Sequence, residues 1–86
     1  MALTESHAHG VEEPPVLDTT IGDLLRSAAA RAGDRLALIE GVADPAARRQ
    51  WTYAELLSDA ERTARALLSR YEPGDKIAVW AHNIPE

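Results

Sequence analysis

The chain has no cysteine and no phenylalanine, and those two gaps narrow its chemistry at once. Without cysteine there are no disulfides, thiolate metal sites or thiol nucleophiles. Without phenylalanine, and with alanine making up much of its 45% apolar content, any core must be thin. Buried area stabilises by roughly 25 cal/mol per Å², and small side chains supply little of it against the entropy of ordering the chain. Lys76 is the single lysine; the other eight cations are arginines spread along the chain, and the net charge is −5. Nucleic-acid binding needs an excess of Lys and Arg against phosphate, so that class is set aside. No apolar run approaches the roughly 20 residues that span a bilayer. The acidic N-terminus lacks the apolar core of a secretory signal, and a cytoplasmic location is expected.

At 86 residues with 27% charged side chains, the composition is globular, of a size for one small domain or part of a larger one. Residues 1–18 are expected to be a disordered or extended leader. Ser6-His7-Ala8-His9-Gly10 and Glu12-Glu13-Pro14-Pro15 have no periodicity, and the proline pair blocks helix. His7 and His9 alternate as metal ligands do, but no further ligands lie nearby, so they read as solvated. The remainder, 19–86, is organised as part of a subdomain. A helix is predicted over 21–32, capped by Thr20 with Asp23 in its first turn. Ile21, Leu24, Leu25, Ala28, Ala29 and Ala32 fall on one stripe, and Gly33 is expected to close the helix in the left-handed conformation. Strands are predicted over 36–40 and 48–52, hairpinned across the loop holding Asp44-Pro45.

A long helix is predicted over 53–71. Thr52 and Glu55 form a T-x-x-E capping box. Leu56, Leu57, Ala60, Ala64, Leu67, Leu68 and Tyr71 make its buried stripe, with Glu61 and Arg65 spaced as an i, i+4 ion pair. Pro73-Gly74-Asp75 ends the helix and turns into a strand at 76–81, apolar on both faces as an interior strand is. Strand, helix and strand predict a βαβ unit with parallel strands and a right-handed crossover. Beyond it, Asn83, Pro85 and Glu86 read as the cap and first turn of a further helix. A central strand feeding a helix that lies outside these residues implies a piece of a larger protein, starting at Met1.

Chemistry-bearing patterns are sparse. Phosphate cradles need clustered glycines opening a helix, but Gly10, Gly22, Gly33, Gly41 and Gly74 are far apart. Asp23, Glu55 and Glu86 are helix-start residues and Asp75 a turn residue, so none is assigned a catalytic role. His82 comes after the predicted parallel strand, where α/β proteins place ligands, yet alone it reads as a loop residue. Trp51 and Trp80 read as packing.

Three segments in order resemble a known family. Trp51-Thr52-Tyr53-Ala54-Glu55-Leu56 resembles its "(W/F)-T-Y-x-E-L" helix start. Pro73-Gly74-Asp75-Lys76-Ile77-Ala78-Val79 resembles "x-G-D-x-V-A", and Ala81-His82-Asn83-Ile84-Pro85-Glu86 resembles "A-P-N-x-P-E", with His82 where the family usually has proline. With a "T-I-x-x-L-L-x-x-x-A" helix from Thr20, 19–86 resembles the start of an adenylate-forming (AMP-binding) acyl-CoA synthetase, or fatty-acid–CoA ligase. The resemblance implies an α/β fold, of which this is the N-terminal fragment of the large domain: helix, β-hairpin, long helix, parallel strand. It implies a parent ligase that uses ATP, Mg²⁺ and coenzyme A to convert a carboxylic acid to an acyl-adenylate and then an acyl-CoA. The family's phosphate loop, metal ligand, ribose-binding aspartate and mobile lysine match no residue here. No catalytic, cofactor-binding or metal residue is therefore assigned, and the fragment alone is expected to be structural and inactive. Its expected partner is the remainder of its own polypeptide, with self-association through an uncovered sheet face. Two alternatives stand beside this: a self-contained small α/β interaction module, and an adenylation domain acting on amino or aryl acids.

Overall fold

The computed structural model describes residues 4–85. Its elements are α1 (Ile21–Ala32), β1 (Leu36–Ile39), a 3-10 turn (Pro45–Ala47), β2 (Gln50–Thr52) and α2 (Tyr53–Leu68). Helices with a two-stranded antiparallel sheet make this an α/β fragment.

Helix α1 starts where its cap predicts, the Asp23 N–H donating to Thr20 Oγ1 at 3.1 Å. Its end differs from expectation. Gly33 keeps right-handed angles (φ −57°, ψ −32°) rather than the left-handed cap. Two backbone bonds hold it there: Arg35 N–H turns back onto Ala32 O at 3.0 Å, and Gly33 O accepts Ala54 N–H at 3.0 Å. The glycine is used for closeness, not handedness. A Cβ there would lie 2.7 Å from Ala29 O and 3.6 Å from the Ala54 Cβ.

The hairpin pairs Leu36 with Thr52, Leu38 with Trp51 and Ile39 with Gln50, with an irregularity between Leu36 and Leu38. It is shorter than the predicted 36–40 and 48–52. Glu40 N–H still reaches Arg49 O at 2.9 Å, but Arg48 belongs to the loop, its Nε donating to Val42 O at 2.7 Å.

The start of α2 is its best-anchored part. Tyr53 N–H donates to Arg35 O and Ala54 N–H to Gly33 O, both at 3.0 Å. Glu55 N–H donates to Thr52 Oγ1 at 3.2 Å, while Thr52 N–H donates to Glu55 Oε2 at 2.8 Å, completing the capping box. Donors that a helix start leaves unpaired are thus satisfied by the hairpin, by the end of α1 and by the cap. Helix α2 ends at Leu68 rather than at 71. Ser69 Oγ bonds back to Ala66 O at 2.6 Å and competes with the ladder, although Tyr71 N–H still reaches Leu67 O at 2.9 Å. The ion pair on α2 joins Arg62 to Asp59 at 2.8 Å; among the described residues none joins Glu61 to Arg65.

After α2, Pro73 and Gly74 (φ +96°) occupy the centre of a turn closed by Asp75 N–H to Glu72 O at 3.1 Å, the type II pattern that needs glycine. The strand expected at 76–81, and with it the parallel βαβ unit, does not form among the described residues. A strand exists only as a ladder with a neighbour, and no neighbour lies alongside. Trp80, expected to pack, is fully exposed for the same reason.

Helix α2 is the hub, touching α1, β1 and β2. Leu25, Ala28, Ala29 and Ala32 of α1 and Leu56 and Leu57 of α2 are only half-buried, and no described residue is fully buried. Ala60, Ala64, Leu67, Leu68 and Tyr71, expected on the buried stripe, are exposed. The chain exposes 8364 Å², whereas a compact monomer of its mass exposes about 5,000 Å². Its radius of gyration is 19.4 Å against about 12 Å for a compact chain of this length. The extended segments before α1 and after α2, together with the uncovered stripe of α2, go with this open form.

Candidate functional site

Two features of the hairpin and α2 stand out. The first is a clasp at the loop end of the hairpin, where Glu40 and Arg49 follow the last strand pair. Arg49 Nε lies 2.9 Å from Glu40 Oε2, and its Nη2 lies 3.0 Å from Oε1, a two-pronged pairing that a planar guanidinium makes well. The same guanidinium sits 5.3 Å from the centre of the Trp51 ring, a cation–π distance. The hydrogen bond from Arg49 holds the Glu40 carboxyl below its usual value, against a smaller desolvation effect that raises it. Sequence patterning alone misses the clasp. Its signal is a pair of opposite charges flanking two strands that a hairpin brings together.

The second feature is an open groove of about 530 Å³ between α2 and the hairpin. Leu56, Ala60 and Leu67 line it from α2, Leu38 and Trp51 from the strands, and Pro85 from the returning arm. Its volume falls in the range of small-molecule sites, but such sites also carry a few convergent polar groups. Here the polar side chains are Asp59, Arg62 and Thr63, the first two already paired to each other. The arrangement can bury apolar surface, and among the described residues no hydrogen bond joins the Thr63 hydroxyl to Asp59.

The residues weighed from the sequence do not converge. The His7 and His9 rings meet edge to face at 4.9 Å, and both are exposed. Among the described residues no three His, Asp or Glu side chains gather as a metal site would require. Asp23 pairs with Arg26 at 2.9 Å, Glu55 closes the capping box, and Asp75 Oδ2 accepts Glu72 N–H at 2.8 Å. His82 is exposed, its carbonyl accepting Ile84 N–H. Glu86 lies outside the described residues, and with it part of the first turn expected of a further helix. Trp51 is half-buried in the groove wall, as a packing residue is. No helix among the described residues is long and apolar enough to cross a membrane.

The described residues form an α/β unit with a capped central helix and an open apolar groove. Its family is shown by similarity. The family model "AMP-binding enzyme" matches residues 25–86, and the chain belongs to that family. It is 34% identical over 79 residues to the acyl-CoA ligase SID4 of Ajellomyces capsulatus, a match covering 91% of this chain and 13% of that protein. It is 32% identical over 88 residues to the mitochondrial medium-chain acyl-CoA ligase ACSF2 of Danio rerio, covering 98% of this chain and again 13% of the relative. A third relative, the acyl-CoA ligase sidI of Aspergillus fumigatus, is 37% identical over 68 residues, 78% of this chain and 11% of that protein. The chain thus spans about an eighth of the length of the first two relatives. No solved structure gives a significant match.

Proposed function

We propose that the chain is a structural segment of an ATP-dependent fatty-acid–CoA ligase, inactive by itself, whose parent converts a carboxylate to an acyl-adenylate and then to an acyl-CoA. The observation that carries this reading is the family match over 25–86 together with three relatives that are all named acyl-CoA ligases. The physical need is plain. A carboxylate is a poor electrophile until a good leaving group is attached, and the site that attaches one must stabilise phosphate charge.

The described residues do not fit ATP, Mg²⁺ or coenzyme A. No acidic cluster converges, and the glycines are scattered rather than grouped before a helix. No step of the reaction is assigned to these residues. Their part is to present the α2 groove and the arm at 76–85 to the rest of the parent, where 76–81 takes its place as a strand. The exposed stripe on α2 favours this over a self-contained module, since a complete small domain covers its apolar face.

The test is pyrophosphate release on addition of Mg-ATP and coenzyme A. The polypeptide containing this segment is supplied in turn with fatty acids of graded length, amino acids and aryl acids. Release that depends on a fatty acid, with none from the 86-residue chain alone, is expected. Dependence on amino or aryl acids would move the parent to another branch of the family. Release by the 86-residue chain would overturn its inactivity. A cytoplasmic location belongs to the same proposal, and cell fractionation checks it against the mitochondrial one named for the Danio rerio relative.

A further inference from the structure

We draw no further inference here: the strongest candidate, the polar pocket between the last turn of α1 and the start of α2 lined by Arg31, Arg35 and Tyr53, carries nothing, because both arginines are exposed and nothing in the structure shows what covers them in a chain that spans about an eighth of its relatives' length.

Discussion

Replacing Thr52 by alanine isolates the contact that starts α2. Four donors meet at that junction. Tyr53 and Ala54 N–H go to Arg35 O and Gly33 O, Glu55 N–H goes to Thr52 Oγ1, and Thr52 N–H goes to Glu55 Oε2. The substitution removes only the third, because the two backbone bonds to the end of α1 do not involve the Thr52 side chain. The expected loss is therefore that of a single cap, about 1 kcal/mol, and not collapse of the junction. For a chain of this length it corresponds to roughly 4–8 °C in midpoint. Glu55→Ala breaks the reciprocal arm and should cost about 0.5–1 kcal/mol. Since each arm orders the other, the double substitution should cost less than the sum by about 0.5 kcal/mol. Urea unfolding monitored by far-ultraviolet circular dichroism reads all three, with Thr52→Ser as the control that keeps the hydroxyl. A Thr52→Ala chain as stable as the unsubstituted one refutes the reasoning. So does a Thr52→Ser chain as damaged as the alanine variant, because the hydroxyl would then not be what holds the helix start.

The same geometry sets three further outcomes. Gly33→Ala puts a Cβ 2.7 Å from Ala29 O, so the turn must shift; a loss of about 1–3 kcal/mol is expected from overpacking, read by the same urea titration, and no loss would refute the close approach. Gly74→Ala places a side chain at φ +96° and should cost about 1 kcal/mol, seen as broadened or displaced amide resonances at 72–75 with α1 unchanged. Arg49 lowers the Glu40 pKa, so the clasp's stabilisation is fully present above the unfolded carboxylate value and is lost as pH falls through the lower folded value. Trp51 fluorescence in a Trp80→Phe background should report that acid transition, and Glu40→Gln should abolish it.

Local chemistry was legible in the residues themselves. Thr20 before an apolar stripe, the Thr52–Glu55 pair and Pro73-Gly74 each act through atoms within three or four positions. Such elements need no distant partner, so α1, the start of α2 and the turn at 72–75 lie where their residues place them. The order of the W-T-Y-x-E-L, x-G-D-x-V-A and N-x-P-E segments likewise carried the family, because a family's spacing survives where individual side chains vary.

Only the tertiary structure decided the rest. Gly33 reads as a left-handed cap until the amide of Ala54 claims its carbonyl. Arg49 reads as a solvated cation until the hairpin register brings it onto Glu40 and Trp51. The run at 76–81 has the composition of a central strand, but a strand is a relation between two backbones, and among the described residues that second backbone is missing. Amphipathic pattern states which face wants cover. Whether cover exists depends on atoms remote in sequence, and here Ala60, Ala64 and Leu67 remain open to solvent.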